Sequence, residues 1–193
     1  MIQENKNKYI EILRQNVKRE GIENLIDYLQ KTDFFTAPAS TRFHSCFEGG
    51  LCLHSMNVLN RFIKLLHGEY GENWQEKCSM ESAVIIALFH DICKAETYSI
   101  EMRNVKENGI WVQKPYYTVN DKLPYGHGEK SVYIVNGFIR LTREEAMCIN
   151  WHMGEYDARA KGGVSLSEIY YKYPTAFLFH IADNMATYLD EQV

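Results

Sequence analysis

The chain has no apolar run approaching the roughly 18 residues that mark a membrane-spanning helix, so a membrane is not expected among its partners. Its opening stretch, MIQENKNKYI, is too polar for a secretory leader, and a cytoplasmic location is the expectation. No two cysteines form a C-x-x-C pair, and the five present, Cys46, Cys52, Cys78, Cys93 and Cys148, are odd in number. Neither a disulfide framework nor a thiolate zinc site is indicated; these residues read as reduced, mostly buried small side chains. There is no excess of positive charge either. A formal net charge of −4 argues against coating nucleic acid through bulk charge, and it favours small or locally held substrates. No internal repeat, linker or low-complexity segment divides the chain.

What is present suits one domain over residues 1–193, with 46% hydrophobic and 24% charged residues, enough to bury a full core. Residues 3–30 carry two amphipathic helical patterns broken at Gly21, within an N-terminal helical segment of residues 1–40 that packs on the core. A third stripe, Leu51, Val58, Phe62 and Leu65, runs at helical spacing until Gly68 and Gly71, and His54 falls on it. Ser79 is placed to cap a helix through about Asp91 that is apolar nearly all round, as a central helix should be. Then TYSIEMRNV and GIWVQKPYYTV flank the turn-like KENG, which predicts a small exposed β-hairpin within residues 97–120. A helix follows from about Glu129 to Ile139. The T-x-x-E of Thr142 to Glu145 forms a capping box for another, with His152 near its end. Pro174 opens a last helix through Ala176, Phe177, Ile181 and Tyr188, with Asp183 inside it. The fold class expected is all-α, a helical bundle with a small β-hairpin insertion.

The stretch ALFHDICK concentrates the chemistry. An apolar run built for burial ends in adjacent His90 and Asp91 and then Lys94, and burying those three groups costs several kcal/mol unless each finds a partner. A bound cation is one such partner. His54, His127, His152 and Asp183 each sit at or near a helix end or inward face, so six donors recur in places where solvation is scarce. Neighbouring helical residues point about 100° apart, so His90 and Asp91 flank an ion more easily than they clasp it side by side. The two oxygens of Asp91 allow it to bridge two cations. Mixed imidazole and carboxylate donors suit Mn, Fe, Co, Ni or Zn, with Mg favoured where oxygen dominates.

These residues resemble the signature of the HD-domain metal-dependent phosphohydrolases, an ordered H…HD…D set on an all-helical scaffold. It is matched by His54 in GGLCLH, His90 and Asp91 in FHDICK, and Asp183 in HIADN, and the likeness spans roughly residues 42–190. Members with a two-metal centre add two histidines, which His127 in YGHGEKS and His152 in WHMG resemble. The flanks are also similar to the HD domains of bacterial exoribonucleases, where GGL-x-x-H, HDI-x-K, GH and A-D recur. Those relatives usually have glycine where Cys93 stands and often a second histidine where Trp151 stands, which leaves the substrate class open.

The resemblance implies a buried site with two divalent ions that hydrolyses phosphate esters of nucleotides or short oligonucleotides. His54, His90, Asp91 and Asp183 would hold one ion, and Asp91, His127 and His152 the other, with Asp91 also a catalytic residue. Lys94 is expected to stabilise charge on the phosphoryl group, an ion pair to Asp91 or Glu96 being its alternative. Arg42 and His44 before the GGL turn, and Glu129 and Lys130 after His127, are candidate substrate contacts from the rim; solvated surface positions are the alternative. His180 shares a face with Asp183, as a hydrogen-bond partner or a core residue, and His67 reads as ordinary surface. Two rival readings are a two-iron HD-type oxygenase using the same ligands and a non-catalytic nucleotide-binding regulatory module.

Overall fold

The computed structural model describes residues 1–191. Among them nine α-helices and one hairpin follow the sequence pattern closely where local chemistry is strong. Helix α1 (Ile2–Asn16) and α2 (Ile22–Lys31) are separated at Gly21, whose φ of 92° is open to glycine and closed to most side chains. Their apolar faces bury Tyr9, Leu13, Leu25, Ile26 and Leu29. Helix α3 (Gly50–Tyr70) carries His54 on its buried side. It continues through Gly68 and stops only at Gly71, because an isolated glycine in an established helix costs about 1 kcal/mol and does not break it.

Helix α4 (Met80–Phe89) starts where the Ser79 hydroxyl accepts a hydrogen bond from the Ser82 amide at 3.1 Å, and every residue from Ala83 to Phe89 is buried. It ends before the expected Asp91. That residue leaves helical geometry (φ −107°, ψ 15°), and a single 3-10 turn, Ile92–Lys94, follows. The hairpin pairs β1 (Tyr98–Glu107) with β2 (Ile110–Val119) in antiparallel register from Tyr98 opposite Val119 to Glu107 opposite Ile110. Asn108 and Gly109 close it with φ of 49° and 86°, the two positive values that a type I′ turn requires.

Helix α5 (His127–Asn136) begins two residues earlier than expected, so His127 stands in its first turn. Helix α6 (Arg143–Asn150) has the reciprocal cap: Thr142 Oγ1 accepts from the Glu145 amide at 3.2 Å and Glu145 Oε2 accepts from the Thr142 amide at 2.8 Å. It stops at Asn150, leaving His152 in the turn beyond and not within the helix. Two short helices absent from the sequence expectation, α7 (Ala158–Lys161) and α8 (Leu166–Lys172), lead to α9 (Pro174–Met185), which ends in a π-helical turn, Ala186–Asp190. In α9 the buried residues are Thr175, Ala176, Phe179 and Ala182, whereas Phe177 and, beyond the helix, Tyr188 are exposed.

The core is one continuous cluster to which α1–α6 and α9 all contribute. Helix α3 packs against α4 and α9, and α6 against α4, α5 and α9. The C-terminal end of α4 thus emerges among α3, α5, α6 and α9, each of which brings a histidine or aspartate to the same place or to the turn next to it. Among the described residues no helix is long and apolar enough to cross a membrane.

Candidate metal centre

The end of α4 is where the six expected ligands meet. Because the chain leaves helical geometry at Asp91, His90 and Asp91 do not diverge: His90 Nε2 lies 3.5 Å from Asp91 Oδ2. His54 Nε2 is 3.3 Å from His90 Nε2, 3.7 Å from Asp91 Oδ2 and 3.2 Å from Asp183 Oδ1. On the other side of Asp91, its Oδ1 is 2.7 Å from His127 Nε2 and 3.4 Å from His152 Nε2. Asp91 therefore faces both halves of the cluster. His54, His90, Asp91 and His152 are almost wholly buried.

The imidazole tautomers follow from the outer contacts. His90 Nδ1 donates to the Ala87 carbonyl at 2.9 Å and His152 Nδ1 to the Ile149 carbonyl at 2.7 Å. His54 Nδ1 donates to the Glu191 carboxylate at 3.0 Å. Carbonyls and carboxylates only accept, so each Nδ1 carries the proton, and a neutral ring presents the Nε2 lone pair inward. Lone pairs then face one another and face carboxylate oxygens, an arrangement that needs a proton or a metal ion between them. His152 Nε2 makes the point directly: it is buried and has no hydrogen-bond partner, a state that costs about 1–3 kcal/mol when nothing is bound. Four overlapping groups, His44–His54–Glu191, His54–His90–Asp91, His90–His152–Asp183 and Asp91–Cys93–His127, each have donor atoms within 4.8 Å of one another. The residues present fit a metal ion.

Protonation of the metal-free cluster is polarised accordingly. Burial opposes charge on His54, but hydrogen bonds to Asp183 and Glu191 outweigh it and push its pKa up to about 9. Burial is also the largest influence on His127, again overcome by Cys93 and Asp91, which push it up to about 10. On His90 burial, reinforced by His152 and His54, outweighs the pull of Asp91 and Asp183 and pushes the group down to about 3. For Asp91, burial favours the neutral acid, yet Lys94, His90 and the bonded histidines hold it well below the usual carboxylate range. Asp183 is held low in the same way by His54 and His90.

A cavity of about 560 Å³ opens onto this cluster. Lys94 lines it with its Nζ 2.5 Å from Asp91 Oδ2, so the ion pair expected as its alternative role forms at the mouth of the site itself. His44 also lines it, its ring centroid 4.8 Å from that of His54 and its Nε2 buried without a partner. The other three candidate substrate contacts are not brought to the cavity. Arg42 is exposed with its guanidinium over the Phe43 ring. Glu129 is paired with Arg159 at 2.7 Å, and Lys130 is buried against Asp121 at 2.5 Å and Thr97 at 3.2 Å.

His180 lies apart from the ligand atoms: its Nδ1 donates to the His152 carbonyl at 2.5 Å and so fixes the turn that aims His152. His67 pairs with Glu72 at the surface, and the five cysteines are free. Cys93 Sγ is 3.3 Å from His127 Nδ1 and 3.8 Å from Nε2. An acceptor in the ring plane opposite Nδ1 would be far more distant from Nε2, so the sulfur rests over the face of the imidazole. Sequence reasoning missed Glu191, which holds His54, and the aromatic walls Phe43, Tyr156 and Tyr188. Only their placement after folding distinguishes them from ordinary surface residues. The chain matches no protein-family model, no curated protein and no solved structure.

Proposed function

We propose that this chain is a metal-dependent phosphohydrolase of the HD type, acting on the phosphate ester of a nucleotide or short oligonucleotide. The observation that carries the reading is the ring of inward Nε2 atoms around Asp91, above all the buried, unpartnered Nε2 of His152. His54, His90, Asp91 and Asp183 would hold one divalent cation, and Asp91, His127 and His152 a second, Asp91 turning one oxygen to each side. Bound there, divalent ions polarise a phosphoryl oxygen and lower the pKa of a water from 15.7 toward about 7.

The side chains of the chain supply the remainder. Lys94 is kept protonated because the Asp91 carboxylate more than offsets the burial of its ammonium, and from the cavity wall that charge would stabilise a phosphoryl group. His44 offers a free ring nitrogen to a substrate oxygen. Phe43, Tyr156 and Tyr188 give the cavity aromatic walls against which a planar base can lie.

The test is metal analysis of the purified protein, followed by a screen of nucleotides for phosphate or nucleoside release with Mn added. Bound metal and turnover that disappear in His90→Ala and Asp91→Ala proteins are expected. A protein with no affinity for divalent ions, or alanine variants that keep full activity, would sink the proposal.

A further inference from the structure

Beyond the six ligands, the buried carboxylate of Glu191 touches the cluster without a part in the reading above. Glu191 lies past the π-helical turn that follows α9 and is only 8% exposed. Its two oxygens accept hydrogen bonds from Ser45 Oγ at 2.7 Å, Asn57 Nδ2 at 3.1 Å and His54 Nδ1 at 3.0 Å. Three donors from the loop before α3 and from α3 itself thus converge on one side chain. Ser45 reaches it from a left-handed backbone (φ 46°), a conformation that most non-glycine residues avoid and that persists only when surroundings enforce it. Next to it Asp190 is clamped by Arg61 of α3, with Nε donating at 2.8 Å and Nη2 donating to the other oxygen. The segment is latched at two adjacent residues.

Among the three buried histidines whose Nδ1 is tied down, His90 and His152 use main-chain carbonyls three residues back, a local contact that comes with the turn. His54 alone uses a charged side chain, and one 137 residues away in sequence. A carboxylate on the outer nitrogen fixes the tautomer, holds the ring's orientation and raises the basicity of the inner nitrogen toward a metal. We propose that Glu191 is a positioning residue for the cation held by His54, so that the segment after α9 completes the metal centre. This rests on the reading of the cluster as a cation site.

Titration of metal-free protein with Co(II), followed by visible absorption and by metal stoichiometry, tests it in the wild type, Glu191→Gln and Glu191→Ala. The alanine variant should bind one of the two ions about 10–100-fold more weakly and the other with wild-type affinity. The glutamine variant keeps the shape and an acceptor but not the charge, so it should fall between them; it also serves if the alanine variant does not fold. A role limited to anchoring the chain would lower the melting temperature of the metal-free variants while both cobalt affinities stayed at the wild-type value, which overturns the inference. Wild-type protein that takes up no cobalt overturns it together with the cation reading, whereas wild-type binding with unchanged variants overturns it alone.

Discussion

Lys94 Nζ sits 2.5 Å from Asp91 Oδ2, with both side chains largely buried and the lysine on the cavity wall. Removing Lys94 leaves Asp91 with His127 as a remaining cationic partner, so the cost should lie below the ~3–5 kcal/mol of a buried pair broken outright. Metal-free Lys94→Met should therefore melt below the wild type, and a divalent cation should restore more stability to the variant than to the wild type. In the metal-loaded variant turnover should drop about 10²–10³-fold with metal content intact. Calorimetry with and without Mn, alongside phosphate release, separates the two effects; unchanged turnover would leave Lys94 as an ion-pair partner alone.

Asp91 brings an oxygen within 3.7 Å of histidines on both sides, whereas Asp183 Oδ1 is closest to His54 and His90, at 3.2 and 3.9 Å, and the Asp183 carboxylate meets His152 only in the wider 4.8 Å grouping. Asp91→Asn should lose both ions and Asp183→Asn only one. Metal-to-protein ratios after gel filtration would show it. Equal losses in the two variants would mean that the halves are not separable.

Gly128, in the first turn of α5, faces Asn150 so closely that an added Cβ would lie 2.2 Å from the Asn150 carbonyl oxygen. Both sides of this contact are backbone, so relief requires α5 to move away from the end of α6, taking His127 from His152. Gly128→Ala should cost about 1–3 kcal/mol of stability and weaken the cation on the His127 side. Denaturant unfolding and cobalt titration test each half of that expectation.

In the first turn of α6, Glu145 is buried and accepts from Arg19 Nη1 at 2.7 Å and Nη2 at 2.6 Å, tying the loop between α1 and α2 to the cap of α6. Burial raises the Glu145 pKa, but the bonds from Arg19 and the Thr142 amide outweigh it and hold the group below its ordinary value of 4.5. A carboxylate with a depressed folded-state pKa contributes stability that is present above the unfolded value and lost as pH falls below it. Metal-free wild type should thus lose stability in acid more steeply than Glu145→Gln, while at neutral pH the variant is the weaker. Melting temperatures between about pH 3 and 7 check the crossing slopes; parallel curves would remove Glu145 from the account.

The elements that the sequence specified by itself are those with local causes. Gly21 separates α1 from α2, Ser79 caps α4, Thr142 and Glu145 cap each other, Pro174 opens α9, and Asn108–Gly109 turns the hairpin. Each depends on contacts within a few residues. The His and Asp donors were legible as well, because an imidazole or carboxylate on an apolar face demands a partner wherever it occurs.

Where those donors point was decided by tertiary structure. Asp91 drops out of the helix because the chain turns at the end of α4 toward α5, and only that break brings its carboxylate beside His90. His152 left its helix for a turn held by His180. Lys130 and Glu129 found ion-pair partners, Asp121 and Arg159, that spacing along the chain does not identify. Glu191, in the unremarkable stretch LDEQV, gained its place from a contact with His54 of α3, 137 residues away in sequence. Local patterns set by a few neighbouring dihedrals are written in sequence order; the pairing of charges far apart in the chain is fixed only when the packed helices bring them together.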